Sequence, residues 1–168
     1  MTEPYPWYEL VQGSDLAQGD VLRACPIFHP LENNQYDEIT SDVVVLSQTC
    51  DLVNDKLTLV LVSPVFPLSL MMQSAEFLKS KQGREALRRG NFPGFHLLNR
   101  CEFPGFESDY LVCDFRSIYS IHLSVAKSQL AQTRERLRLR SPYREHLAQA
   151  LARFLMRVGL PVDIPPFS

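Results

Sequence analysis

The sequence lacks the short motifs that mark the commonest metal and nucleotide sites. It contains no C-x-x-C pair, no H-x-x-H or H-E-x-x-H spacing and no glycine-rich phosphate loop, so spacing gives no evidence for a zinc site or a phosphate-binding loop. Its 4 cysteines are widely separated, which argues against a compact disulfide framework. We interpret them as reduced thiols and expect neither a metal nor a cofactor; they are Cys25, Cys50, Cys101 and Cys113.

A membrane-spanning run is also missing. The longest apolar segment, "LTLVLVSPVFPLSLMM", is interrupted by Pro64 and Pro67 and is shorter than the roughly 20 apolar residues that cross a bilayer. The opening "MTEPYPWYEL" has acids and prolines where a signal peptide would have a basic start and an apolar run. These features predict a cytoplasmic protein without membrane insertion.

Charge is unevenly distributed along the chain. A length of 168 residues with 45% hydrophobic content predicts one core and a single domain, 1–168. The formal net charge of -2 excludes a uniformly basic nucleic-acid binder. Residues 1–60, the acidic front, hold 10 acids and 2 bases, whereas residues 127–157, the basic tail, hold 8 bases and 2 acids. The tail is therefore the expected contact for an anionic partner.

Most of the chain has the composition of strands and turns. Five segments rich in β-branched and aromatic residues are predicted strands: 19–28, 42–48, 56–66, 109–115 and 117–123. A polar loop is expected at 29–38. Two copies of "FPGF", at 92–95 and 103–106, have the Pro-Gly order of type II turns.

Two segments are predicted to be helical. Residues 74–89 are rich in helix formers, with Ser74 as an N-cap and Gly90 placed to end the helix. The final helix is predicted to begin at Ser141 and Pro142 and to stop at Gly159. Apolar residues recur at helical spacing on one face of it: Tyr143, Leu147, Ala150, Leu151, Phe154 and Val158. Trp7 is interpreted as an aromatic anchor for the N-terminus.

The order of these pieces resembles the MazF/PemK family of toxin ribonucleases. The matching landmarks are "GDVL" at 19–22, "VVVLSQ" at 43–48, "LVLVSPVF" at 59–66 and "DYLVCDFRSIYSI" at 109–121, followed by the final helix. The resemblance implies an α+β, mainly β fold, with a small SH3-like barrel at about 15–123, a helical insertion at about 74–90 and a C-terminal basic helical segment at 124–168. It also implies a homodimer formed through barrel and helix surfaces, with an asymmetric complex as the alternative.

The family's catalytic groups are only partly present. Active members have an arginine just before the second strand, whereas this chain has Thr40, Ser41 and Asp42 there. A carboxylate at this point would repel a phosphate. Ser63 matches the position of the family's catalytic hydroxyl. The resemblance therefore implies a module that is degenerate at the catalytic arginine.

Two functions follow from the resemblance. The first is a non-catalytic or degenerate MazF/PemK-like module that binds a protein or RNA partner in a bacterial toxin, defence or regulatory system. The alternative is a metal-independent endoribonuclease toxin in which Arg23 or Arg116 supplies the missing charge near Ser63.

The polar stretch Ser47–Asp51 follows the second predicted strand and supports a third function. Cys50 beside Asp51 would be a nucleophile or a metal ligand, and nucleophilic work would need a histidine nearby to form the thiolate. The other interpretation is that Cys50 packs as a small apolar residue while its neighbours bond to turn amides. The candidate contacts to a substrate or partner are Ser47, Gln48, Thr49 and Asp51.

An arginine run, "RERLRLR" at 134–140, is the densest basic feature. In an extended chain its arginines would share one face and form a stripe suited to phosphates or to an acidic protein surface. A solvated face, or pairing with the acidic front of the same molecule, is the alternative. The candidate binding residues are Arg134, Arg136, Arg138 and Arg140.

Overall fold

The computed structural model describes residues 6–133 and 135–156, and these form an α+β, strand-rich fold, as predicted. The strands are β1 (Tyr8–Gln12), β2 (Val21–Pro30), β3 (Tyr36–Val45), β4 (Leu59–Pro67), β5 (Phe95–Leu98), β6 (Leu111–Asp114), β7 (Tyr119–His122) and β8 (Glu135–Leu139). The helices are α1 (Thr49–Val53), α2 (Leu68–Ser74), α3 (Glu76–Lys79), α4 (Lys81–Arg88), α5 (Leu123–Gln132) and α6 (Tyr143–Leu155).

Strand β4 is the centre of the main antiparallel sheet. The strand order is β2-β3-β4-β6-β5, and β7 also pairs with β4. Val62 pairs with Val45 of β3 and with Tyr119 of β7, so β3 and β7 lie on opposite edges of β4. The end of β4 pairs with β6. Since β6 and β7 follow one another along one edge, the chain between them, residues 115–118, emerges beside β4.

Both faces of this sheet are covered, which explains the near-continuous valine runs. Val43, Val45 and Val60 are fully buried in one core cluster. Val44 is fully buried in a second cluster, which includes Leu147 of α6. β-branched side chains fit a pleated surface that is packed on both sides.

The closed SH3-like barrel is not confirmed, because the sheet is open in the part of the chain that the structure describes. Strands β2 and β5 are its two ends and do not pair with each other. Strand β8 pairs with β1 in a separate two-stranded sheet. Its link to the main sheet is an isolated bridge between Asp20 and Arg138.

The predicted polar loop at 29–38 is largely a hairpin. Strands β2 and β3 continue their pairing as far as Pro30 and Tyr36, which leaves a short loop closed by a 2.8 Å hydrogen bond from the Leu31 amide to the Gln35 carbonyl. The prediction of a loop was wrong because both faces of this hairpin are largely exposed, so its strands carry polar residues like those of a loop.

The predicted helix at 74–90 is replaced by three short helices. Ser74 ends α2 instead of beginning a helix, and Ser80 is the N-cap of α4, where its hydroxyl accepts a 2.9 Å hydrogen bond from the Gly83 amide. Gly90 follows α4 with a φ of +68°, as its predicted role as a terminator requires. The helix-forming composition was read correctly, but the breaks inside it were missed.

The C-terminal segment is not helical throughout. Residues 135–139 form β8, which pairs with β1, and β1 was not among the predicted strands. Leu137 and Leu139 are buried on one side of β8, which favours an extended conformation. Helix α6 confirms a final helix whose apolar face packs on the core, but its N-cap residue is Pro142 and not Ser141, and it ends at Leu155, before the predicted stop. The predicted stop at Gly159, and Val158 before it, lie outside the described residues.

Two local predictions are confirmed. In each "FPGF" turn the last amide bonds to the first carbonyl, at 3.3 Å for Phe95 to Phe92 and 2.9 Å for Phe106 to Phe103. The glycines have φ values of +93° and +80°, as type II turns require. Trp7 anchors the N-terminal strand by stacking on Tyr143 of α6, with ring centroids 3.8 Å apart.

Among the described helices, none is long and apolar enough to cross a membrane.

Candidate functional site

The arginine run does not form an outward stripe at Arg136 and Arg138. Both guanidinium groups turn inward to the buried carboxylate of Asp20: Nε of Arg136 lies 2.8 Å from Oδ2, and Arg138 contacts both oxygens. Arg136 also donates to the carbonyls of Gly13 and Asp15. The pairing with the acidic front is therefore internal.

Of the other two arginines of the run, only Arg140 lies among the described residues. Arg140 is exposed, and its backbone amide donates to the Trp7 carbonyl at 2.9 Å. Arg134 lies outside the described residues. A positive stripe of four arginines is consequently not what the extended chain presents.

In the Ser47–Asp51 stretch, two side chains accept hydrogen bonds from backbone amides elsewhere in the fold. Ser47 accepts a hydrogen bond from the Leu61 amide at 2.9 Å, and Thr49 accepts one from the Gln18 amide at 3.1 Å. Gln48 is the exposed N-cap residue of α1. These contacts match the structural interpretation of the stretch more closely than a binding role.

Cys50 is exposed, contrary to its interpretation as a packed apolar residue. Its thiol lies 3.8 Å from the carboxylate of Asp51, which in turn lies 3.9 Å from the ammonium of Lys56. Across residues 6–133 and 135–156 no group of three or more histidine, cysteine or acidic side chains is placed to hold a metal ion.

Ser63 is not available to an external phosphate. Its hydroxyl is fully buried in β4 and donates to the Asp114 carbonyl at 3.1 Å. Asp42, which stands where the family has its arginine, accepts a 2.9 Å hydrogen bond from the Ala24 amide. Ala24 has a φ of +48° at an irregularity of β2. Asp42 therefore stabilises a strained bulge.

The remaining two candidates, Arg23 and Arg116, occupy equivalent positions at the two "FPGF" turns. The guanidinium carbon of Arg23 lies 4.6 Å from the ring centroid of Phe106, and that of Arg116 lies 4.3 Å from the ring centroid of Phe95. Each phenylalanine closes its turn. Such contacts between a cation and an aromatic face contribute roughly 0.5–2 kcal/mol.

Arg116 is held more rigidly than Arg23. Its Nε and Nη2 donate to the two carboxylate oxygens of Asp114 at 2.9 and 2.8 Å, and this pairing raises the pKa of Arg116. The side chain of Asp114 is 10% exposed whereas that of Arg116 is 59% exposed. A bidentate pair fixes the plane of the guanidinium. Within residues 6–133 and 135–156, Nη1 makes no hydrogen bond and is open to another acceptor.

An apolar cavity of about 560 Å³ opens beside this arginine, and we call the two together the Arg116 groove. Its apolar walls come from β4, α2, α3 and β5: Phe66, Leu70, Met71, Ala75, Phe77 and Phe95. Phe77 stacks on Phe92 with centroids 4.0 Å apart, and Phe95 tilts against both rings. Leu70 is 52% exposed at the rim. A groove of this kind presents apolar surface and one oriented donor.

Sequence reasoning identified Arg116 but missed the residues that give it a site. Asp114 lies two residues before it in the pattern D-F-R, and Phe95 closes a turn that was recognised only as a bend. The repeated "FPGF" was the available signal, because each copy supplies a ring for an arginine. No protein-family model matches the chain, and no curated protein or solved structure is significantly similar to it.

Proposed function

We propose that the chain is a non-catalytic binding module that recognises a protein partner at the Arg116 groove. The observation that carries this proposal is the fixed guanidinium of Arg116 beside an open apolar cavity. A partner segment would insert an apolar side chain into the cavity and present a carbonyl or carboxylate oxygen to Nη1. Apolar pockets with a few oriented polar groups are the usual form of a recognition site.

Protein is favoured over RNA because of where the positive charges are. RNA affinity depends on many phosphate contacts from lysines and arginines on the surface. Here Arg136 is buried against Asp20, and Arg138 shares the same carboxylate. Among the described residues that line it, the Arg116 groove has one cation, which Asp114 already neutralises, and its walls are mainly apolar.

A relationship to the MazF/PemK family, and a role in a bacterial toxin, defence or regulatory system, stay part of the proposal. The order of the landmark strands and the final helix supports them. The geometry lends less support to an endoribonuclease, since Ser63 is buried and Asp42 is occupied by the Ala24 amide. A thiol enzyme is also less supported, because the thiol of Cys50 lies 3.8 Å from the carboxylate of Asp51, and a negative charge there disfavours a thiolate.

The test is peptide selection followed by a binding measurement. A random-peptide display library is selected on the full chain, and the consensus peptide is synthesised and titrated by calorimetry. We expect a consensus with a large apolar side chain. Leu70→Asp should weaken it about tenfold or more, because a carboxylate at the rim would have to be desolvated.

The matched control is Leu59→Asp, since Leu59 is 54% exposed but lies at the start of β4 and not in the groove. Labelled single-stranded RNA is titrated in parallel. The proposal fails if no peptide is selected, or if both variants weaken peptide binding equally. It also fails if RNA binds more tightly than the peptide and the Leu70→Asp variant binds RNA more weakly than the wild type does.

A further inference from the structure

The hairpin formed by β2 and β3 has an unpaired edge. Strand β3 begins at Tyr36, but it pairs with β4 only over Val43–Val45. Nearer the hairpin loop, β3 pairs with β2 on one side and with no described strand on the other. Residues 36–40 are all exposed. We call the free side of these five residues the β3 edge.

The hydrogen-bond register shows which backbone groups point to the β3 edge. At the end of the hairpin the Leu31 amide donates to the Gln35 carbonyl, and bonded and non-bonded pairs alternate from there along an antiparallel ladder. The amides and carbonyls of Tyr36, Glu38 and Thr40 therefore point away from β2. None of these three amides has an acceptor among the described residues.

The other edge of the hairpin is closed to a further strand. Pro30 and Pro26 of β2 lie opposite Tyr36 and Thr40, so their nitrogens face the outer side of β2. Proline has no amide hydrogen and protects an edge strand against pairing. The β3 edge contains no proline and keeps its donors. Of the two edges, the β3 edge is the one that can accept a strand.

The side chains along the hairpin are acidic and aromatic. Residues 24–55 contain 6 acids and no lysine or arginine. Asp37 and Glu38 are exposed and project from opposite faces of β3. Phe28 lies opposite Glu38, and Phe28 and Tyr36 are each 68% exposed on the same face. A strand placed beside β3 would therefore meet negative charge on both faces and aromatic surface on one.

From these features we propose that the β3 edge binds an extended, lysine- or arginine-containing segment of a partner protein by strand addition. The segment exchanges backbone hydrogen bonds with Tyr36, Glu38 and Thr40. Its basic side chains pair across the strands with Asp37 or Glu38, and cross-strand pairs of opposite charge are favourable. In this mode of recognition the main chain supplies affinity and alternate side chains supply specificity.

A second copy of this chain fits the β3 edge less well. Pairing two such edges would bring the acids of both hairpins together with no base between them, and like charges on neighbouring strands are unfavourable. The surface is also separate from the Arg116 groove, whose described walls include no residue of β2 or β3. The two proposals can therefore fail independently, and Leu70→Asp should leave binding at the β3 edge unchanged.

The probe is a capped peptide of alternating lysine and valine, titrated into the full chain by calorimetry. We expect saturable binding that weakens as salt is added, because exposed charges are screened. The same peptide methylated at every backbone nitrogen keeps its charge but cannot donate to β3. It should bind at least about tenfold more weakly, since several backbone hydrogen bonds are lost.

Amide hydrogen exchange followed by NMR locates the bound peptide. In the free chain the amides of Tyr36, Glu38 and Thr40 should exchange faster than those of Asp37 and Ile39, which point toward β2. Adding the lysine–valine peptide should slow exchange of the first three amides. Slowed exchange only elsewhere in the chain would show that the peptide does not bind at the β3 edge.

Thr40→Pro removes one outward amide, and Thr40→Ala is its matched control. Position 40 lies opposite Pro26 in a pair without hydrogen bonds, so the proline does not remove a bond to β2. Thr40→Pro should weaken the peptide about tenfold, whereas Thr40→Ala should not. The methylated peptide is measured on the wild type, so it decides the question even if Thr40→Pro perturbs folding.

The charge requirement is tested by the double variant Asp37→Asn with Glu38→Gln, which should weaken the peptide about threefold or more. Glu76→Gln with Glu102→Gln removes two exposed acids elsewhere and should have no effect. The proposal is overturned by an absence of peptide binding, by equal binding of the methylated peptide, or by equal effects of the two double variants. Dimerisation that protects the same three amides would also overturn it, because the edge would then belong to a second copy.

Discussion

Asp20 and Arg136 form a buried ion pair across the two ends of the described chain. Oδ2 of Asp20 lies 2.8 Å from Nε of Arg136, and the residues are 116 positions apart in the sequence. Asp20 is fully buried and Arg136 is 4% exposed. The pair attaches β8, and through it β1, to the start of β2. In this pair a carboxylate of the acidic front contacts a guanidinium of the basic tail.

Removing one member of this pair should destabilise the fold strongly. Arg136→Met leaves a buried carboxylate with fewer donors, and breaking such a pair costs about 3–5 kcal/mol. Urea unfolding at pH 7 measures the change. Arg140→Met is the control, since Arg140 is exposed and surface changes stay within about 0.5 kcal/mol. Equal effects of the two variants would contradict the energetic role assigned to the pair.

Stability should depend on pH through His96. Its pKa falls from 6.5 in the unfolded chain to about 4 in the folded protein, so between these values the unfolded chain binds more protons. Protonation of His96 therefore does not lower the free energy of unfolding above pH 6.5. As the pH falls from 6.5 toward 4, it lowers the free energy of unfolding by about 3 kcal/mol.

Urea unfolding of the wild type and of His96→Leu across this range isolates the effect of His96. The groups acting on its imidazole are His146 and Arg153 of α6, and Cys113 is opposite it on β6. The variant should show a shallower fall in the free energy of unfolding between pH 6.5 and 4. Parallel curves for the two proteins would contradict the shifted pKa.

The two "FPGF" glycines should differ in their tolerance of alanine. Both have positive φ, so each substitution strains the backbone by about 1–2 kcal/mol. At Gly94 the added carbon also meets Arg116 and Phe154, whereas nothing lies within 4 Å at Gly105. Thermal unfolding should therefore show a larger loss for Gly94→Ala. A larger loss for Gly105→Ala would be inconsistent with this packing.

The cysteines should divide into one reactive and three protected thiols in the native protein. Cys50 is exposed, whereas the other three are buried. Burial raises the pKa of Cys25 to about 11 and also raises the pKa of Cys113. Brief iodoacetamide treatment followed by peptide mass spectrometry should label Cys50 first, and the others only after urea is added. Rapid native labelling of Cys113 would show that β6 opens readily.

Local sequence chemistry determined much of the secondary structure. Alternating and continuous runs of β-branched residues identified β2, β3, β4, β6 and β7, and the Pro-Gly pairs identified two turns with the correct geometry. The apolar face of α6 was also predicted, and its start was predicted to within one residue. These features depend on residues that are close in sequence, where backbone preference and side-chain spacing act directly.

Only the tertiary structure decided the direction of the arginines and the composition of the site. The alternation of the run correctly allowed an extended strand, but which side of β8 faces Asp20 depends on its pairing with β1. Arg116 acquires its orientation from Asp114 and Phe95, and Nε2 of His96 is buried without a hydrogen-bond partner among the described residues. The Asp20 pair and the packing of Arg116 on Phe95 join residues distant in sequence, whereas the Asp114 partner of Arg116 lies two positions before it. Composition and residue spacing do not predict such contacts, because burial and pairing depend on how the distant elements pack together in the folded core.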